Sequence, residues 1–241
     1  MVRYVAGFYR TGESFDDETM RRTLHSLHAL NAGFFPASMW LSKEHKCTFH
    51  TPAEYKRSLV PDGYHMTASA ARIPFECCNG VALTFTESDN PRNMPANLVM
   101  EFSDHTITTN AWSLYRLLEI FKAVIASFAP DYATLYDEAH RARPTYDERM
   151  FDYDMRRAPS GLYWLNYFSR DWVADIGEEK LRELSKHVAR AEWFSDGGVL
   201  IALQEEPYDE GNPTHRDRQL FLEQRILDLP AVQARFPNPG L

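Results

Sequence analysis

The chain has 241 residues, with 26 Lys and Arg against 34 Asp and Glu for a formal net charge of −8, and 44% of it is apolar, including 15 Phe, 12 Tyr and 5 Trp. That is enough apolar side chain for one self-sufficient core, and a chain of this size needs neither disulfide nor metal to hold it. The acidic balance argues against nucleic acid as a partner, because phosphate binding needs a basic face, and no apolar run approaches the roughly 20 residues that span a bilayer.

Three cysteines is an odd number and two of them, Cys77 and Cys78, are adjacent, while the opening MVRYVAGFYR has no apolar stretch of the kind that begins a signal peptide. A cytoplasmic, reduced protein is expected. The excess of carboxylates either keeps such a protein soluble or meets a basic protein partner.

Residues 2–10 alternate well enough for a first strand, which Thr11-Gly12 ends. Ser14 or Asp16 can cap the helix that follows, with Asp17 and Glu18 in its first turn and Met20, Leu24, Leu27 and Asn31 on one stripe. His25 and His28 are three apart on that helix, which is at most half a metal site, and they read as boundary residues. A second strand is expected over 35–42, and Thr51-Pro52-Ala53-Glu54 opens a short helix that ends by Val60-Pro61. His45, Cys47 and His50, with Cys77 and Cys78 further on, raise the question of zinc, but adjacent cysteines do not share one tetrahedral ion as C-x2-C pairs do.

Asn79-Gly80 is a turn signal, and the strand leaving it, 81–86, is expected to pair antiparallel with 98–102. The longest helix, 111–128, carries Trp112, Tyr115, Leu118 and Lys122, with Leu114, Leu117, Phe121, Val124, Ile125 and Phe128, so that apolar groups cover more than half its circumference and it is expected to be deeply buried. Pro130-Asp131 stops it, and a short strand follows through Tyr132, Thr134 and Tyr136. Residues 161–204 read as strand, helix, strand: 162–168 is apolar or aromatic on both faces, Leu181, Leu184 and Val188 recur at helical spacing, Gly197-Gly198 marks a turn, and 199–203 is a buried apolar run. A last helix has Phe221, Leu222, Ile226 and Leu229 on its apolar side.

These elements assemble into an α+β single domain with a mixed, largely antiparallel sheet packed by helices. It has two strand-helix halves, about 1–143 and 144–241. Two segments interleave aromatic residues with carboxylates outside any core periodicity. The first holds Tyr146, Asp147, Phe151, Asp152, Tyr153 and Asp154, and the second Glu205, Glu206, Tyr208, Asp209 and Glu210. Aromatic anchors among charges suit a protein-binding surface, and a connector laid over the core is the plainer alternative.

The motifs of nucleotide-binding folds, serine hydrolases and zinc proteases, namely a P-loop, G-x-G-x-x-G, G-x-S-x-G and H-E-x-x-H, do not occur. Asp16-Asp17 and the Asp152, Asp154 pair read as caps and loop carboxylates rather than acid/base dyads, and His140 near Asp137, or Ser160 and Ser169 with some histidine, are combinations that chance supplies. No catalysis, metal or cofactor is expected. A small metal-dependent or hydrolytic enzyme is the alternative.

In order along the chain, Phe8-Tyr9-Arg10 and Glu13-Ser14, Asn79-Gly80, Ala129-Pro130-Asp131-Tyr132-Ala133, the run from Gly161 through Trp164 and Tyr167 to Ser169, and Gly197-Gly198 with the apolar strand after it make a pattern. That pattern resembles the immunity protein 52 family of bacterial polymorphic-toxin systems. The family has an aromatic residue before the Asn-Gly turn, where this chain has Cys78. The C-terminal portion is also similar to a second group of type VI secretion immunity proteins. The resemblance implies a cytoplasmic protein that binds and neutralises a cognate toxin, a nuclease of restriction-endonuclease-like fold. It implies no reaction of its own, and the charge and the lack of a long apolar run leave neither nucleic acid nor membrane as an expected partner. A scaffold or adaptor for a non-toxin partner needs only the same kind of surface.

Overall fold

The computed structural model describes residues 3–11, 15–30, 36–40, 46–48, 72–77, 81–86, 96–103, 114–137, 161–209 and 211–227. In chain order the elements are β1 (Arg3–Arg10), α1 (Asp17–Ala29), β2 (Pro36–Trp40), β3 (Lys46–Thr48), β4 (Arg72–Cys77), β5 (Val81–Thr86), β6 (Ala96–Ser103), α2 (Leu114–Phe128) and β7 (Tyr132–Asp137). There follow β8 (Leu165–Phe168), α3 (Arg170–Ile176), α4 (Glu178–Leu184), β9 (Arg190–Trp193), β10 (Val199–Ala202) and α5 (Pro213–Ile226). The helix expected to open at Thr51 lies outside the described residues.

All ten strands share one sheet, in the order β3-β2-β4-β5-β6-β1-β7-β8-β10-β9. Every neighbouring pair is antiparallel, so the sheet is not mixed. The expected pairing of β5 with β6 is present, with Leu83 opposite Met100 and Phe85 opposite Leu98. The two halves meet where β7 pairs with β8, Tyr132 opposite Phe168 and Leu135 opposite Leu165.

Because side chains alternate across a strand, each strand feeds two layers. On one face Tyr4, Ala6 and Phe8 of β1, Leu98, Met100 and Phe102 of β6, and Leu165 and Tyr167 of β8 join the buried side of α1 and α2 in one cluster. Residues from both halves therefore share this core. Phe8 meets Phe121 at 4.8 Å between ring centroids, and Phe15 sits 5.5 Å from both Phe85 and Phe128. Arg22 ties α1 to α2 by donating from Nε and Nη2 to Ser127 O at 2.9 and 2.7 Å. On the other face Tyr132, Phe168, Val199 and Ile201 pack under α3, α4 and α5 through Trp172, Leu181, Leu184, Leu222 and Ile226.

The motifs that carried the family resemblance occupy joints of this frame. Ala129 takes a left-handed conformation, φ 51°, as α2 ends. Asp131 then ties three elements: its N–H donates to Tyr9 O, its carbonyl accepts from Ser169 N–H, and its carboxylate accepts from the Thr11 backbone and hydroxyl. Gly197 has φ +95°, and a Cβ on Gly198 would lie 2.7 Å from the Tyr167 hydroxyl and 3.2 Å from Phe168 O, so the β9–β10 turn needs glycine at both positions.

Several sequence expectations are corrected. The single helix expected between the two strands of 161–204 is two, α3 and α4, separated at Gly177, φ +97°; Leu181 and Leu184 lie on α4, and Val188 lies beyond a 3-10 turn in extended backbone. The strand expected from 162 begins at Leu165; just ahead of it Tyr163 N–H donates to Asn166 Oδ1 and Asn166 Nδ2 donates to Tyr163 O, which holds a bend at 163–164 outside the ladder. Strands β3, β4 and β9 were not anticipated. Strand β4 contains Pro74, which suits few interior strands, but the β2 partners of β4 run only over Phe75, Glu76 and Cys77 and stop short of the proline.

Candidate functional site

The turn after β10 is pinned from β8: Leu203 N–H donates to Trp164 O and the Trp164 indole Nε1 donates to Gln204 O, both at 2.9 Å. Those bonds fix the start of the loop 204–209, which runs to the N-terminal turn of α5. Asn212 caps α5 by accepting from Thr214 N–H at 3.0 Å, with Pro213 at the first helical position. Between this loop, residues 186–189 and the first half of α5 lies an open cleft of about 870 Å³. Lys186, His187, Val188 and Ala189 form one wall and Gln204, Glu205 and Glu206 the second. The third is Asn212, Thr214, His215, Asp217, Arg218 and Phe221.

The loop is tied down rather than draped. Asp209 N–H donates to His215 Nδ1 at 3.1 Å, which leaves the neutral ring's proton on Nε2, and Asp209 Oδ1 accepts from Gly211 N–H at 2.9 Å. Arg218 Nη1 donates to Leu203 O at 2.8 Å, so this cation braces the strand end. Lys186 is paired with Glu183 on the preceding turn, and its ammonium draws the exposed Glu183 carboxyl below the usual range. The carboxylates of Glu205, Glu206 and Asp217 are exposed and make no hydrogen bond or ion pair among the described residues. Gln204 is only 1% exposed, and neither its Nε2 nor its Oε1 has a partner among the described residues.

Of the residues singled out in the sequence, Glu205, Glu206 and Asp209 are exposed on this loop, and the first two line the cleft. Tyr208 is placed otherwise than expected: it is 8% exposed, belongs to the main core and lies 6.0 Å from the His215 ring, because the loop turns back onto the sheet. It is not an exposed anchor. Glu210, and the whole first segment, Tyr146, Asp147, Phe151, Asp152, Tyr153 and Asp154, lie outside the described residues, as do His45, His50, Cys78, His140 and Ser160. Cys47 and Cys77 fall on β3 and β4, which β2 separates, so their backbones are roughly 10 Å apart across the sheet alone. Among the described residues no group of three His, Cys, Asp or Glu could hold a metal ion, and no helix is long and apolar enough to cross a membrane. Gln204, Asp217 and Arg218 were not foreseen; the only sequence signal was that Gln204 is the first polar residue after the run 199–203.

No family model matches the sequence, and no curated protein does either. The fold is similar to that of a solved structure from Pseudomonas aeruginosa, the type VI secretion system (T6SS) protein PA0821, with a TM-score of 0.65 at 11% identity, covering 95% of this chain and 76% of that one.

Proposed function

We propose that the protein is an immunity protein of a type VI secretion system, one that binds a cognate secreted toxin in the cytoplasm of the producing bacterium and neutralises it without catalysing a reaction. The observation that carries this reading is the likeness of nearly the whole chain to a protein of such a system. The ordered motifs of immunity protein 52 point the same way, and through that family the toxin is a nuclease of restriction-endonuclease-like fold. The physics agrees: a nuclease holds a basic cleft for phosphates, and a protein of net charge −8 with unpaired carboxylates on a braced loop offers that cleft an alternative.

The test is a search of the gene's neighbourhood for a secreted-toxin gene and co-expression of this chain with its product. Protection of growth and a stoichiometric complex that survives purification are expected. A toxin that kills equally with and without this chain, and does not bind it, refutes the proposal. Binding without protection would favour an adaptor.

A further inference from the structure

We infer that the open edge of β9 docks a second copy of this chain, which adds its own β9 antiparallel about a twofold axis at Ala191. The inference stands apart from the immunity reading, and either can fail without the other.

The first observation is which backbone groups the edge leaves open. Phe194 N–H donates to Gly198 O at 2.9 Å, which makes 194 and 198 a hydrogen-bonded pair at the end of the β9–β10 ladder. Bonded pairs alternate along an antiparallel ladder, so Glu192 with Leu200 and Arg190 with Ala202 are the next bonded pairs. Ala191 and Trp193 therefore turn their N–H and C=O groups away from β10. Strand β9 ends the sheet, and among the described residues nothing bonds to those outward groups. The strand is nevertheless held from both faces. Glu192 Oε2 meets the Lys122 ammonium of α2 at 2.7 Å on one, and the Arg182 guanidinium of α4 lies 4.0 Å over the Trp193 ring on the other. An edge fixed in this way has little freedom left to lose when a strand is added.

The second observation is that RAEW is complementary to itself in one register. Twofold pairing sets outward-facing residues opposite one another, which allows Ala191 opposite Ala191, Ala191 opposite Trp193, or Trp193 opposite Trp193. The first puts Arg190 of each copy opposite Glu192 of the other, two opposite-charge pairs at the closer, non-hydrogen-bonded positions, and sets Trp193 against the small Ala189. The second puts Glu192 opposite Glu192, like charges that repel. The third runs Ala191 into the turn at 195–197. Arg190 is exposed, and its Nε lies 2.8 Å from Glu192 Oε1 of its own strand without the alignment of a hydrogen bond, which leaves the guanidinium able to turn to the second copy. Short charged edges ordinarily keep sheets from pairing at random, and here the alternation of sign admits one partner register.

Four residues a side make a small interface, so a dimer with a Kd of about 10–100 µM is expected. Sedimentation velocity of the whole chain from about 1 to 500 µM, at fixed ionic strength, reads it. Arg190→Glu and Glu192→Arg should each weaken the dimer about tenfold or more, and the combined swap should bring it back to within about threefold of the parent. Circular dichroism should be unchanged in all three. Because Glu192→Arg also faces Lys122, single cysteines read the register independently. Paired Cα atoms at Ala191 would lie about 5.5 Å apart, within reach of a disulfide. Under mild oxidation Ala191→Cys should therefore give a linked dimer faster than Glu192→Cys or Trp193→Cys, above the background set by the parent's own Cys47, Cys77 and Cys78. A parent that stays monomeric to about 500 µM overturns the inference. So does a dimer that Arg190→Glu leaves intact, or one that links faster through residue 192 or 193 than through 191.

Discussion

Replacing Glu223 by Gln should stabilise the protein at alkaline pH and flatten its stability profile. Glu223 lies on α5 and is 0% exposed; Oε1 accepts from Leu162 N–H at 2.8 Å and from Gln219 Nε2 at 3.1 Å, and Oε2 has no partner among the described residues. Desolvation raises its pKa from the ordinary 4.5 to about 7, against the opposing pull of those two hydrogen bonds. The folded state therefore holds a proton that the unfolded chain releases between these values. Stability is greatest below about pH 4.5 and is lost as the pH rises through about 7. A raised pKa of this size corresponds to about 3 kcal/mol between the two ends of that window. Gln keeps the Oε1 acceptor and cannot ionise. Urea denaturation followed by the fluorescence of buried Trp164 and Trp172 should show parent and variant within about 1 kcal/mol at pH 5 and the variant ahead by about 2–3 kcal/mol at pH 8. A variant less stable than the parent at pH 8, or an unchanged slope between the two pH values, would show that the ionised carboxylate is well solvated by its donors and refute the reasoning.

Tyr208→Ala should lower stability by about 3 kcal/mol, measured by denaturant unfolding, because the ring lies in the core. A loss below about 0.5 kcal/mol would mean the ring is on the surface in solution. Gly198→Ala forces a Cβ against the Phe168 carbonyl and the Tyr167 hydroxyl and should cost about 1–3 kcal/mol in thermal unfolding. An unchanged melting temperature would contradict that packing. Charge reversal at Glu205 and Glu206 should slow association with the toxin and lessen its salt dependence while leaving dissociation nearly unchanged, read by stopped-flow mixing at two ionic strengths. Association kinetics identical to the parent's would place the encounter surface elsewhere.

Helix α2 and strands β1, β5, β6 and β10 were legible in the sequence because each carries its own periodicity: the apolar stripe of 114–128 or the alternation of 81–86 is a local property that burial reinforces. The Gly197-Gly198 turn was legible for the same kind of reason, since the strain it relieves lies in the backbone itself. Strand β9 had no such signature. Its four residues, RAEW, are half polar and are held at the sheet edge by pairing with β10, Val199 opposite Trp193, so only the tertiary pairing defines it as a strand. Helix α3 was equally hidden, because its seven residues, RDWVADI, are too few to show a helical period and their burial against β8 is a tertiary contact. As for the site, the acidity of Glu205 and Glu206 was visible, but the burial of Tyr208 in the main core was not, since an aromatic residue in a charged loop looks the same in sequence whether the loop stands out or folds back. The cleft joins residues 186–189, 204–206 and 212–221. Composition set the sign of the charge, and the docking of α5 beside the end of β10 decided that Glu205, Glu206 and Asp217 would line one cleft.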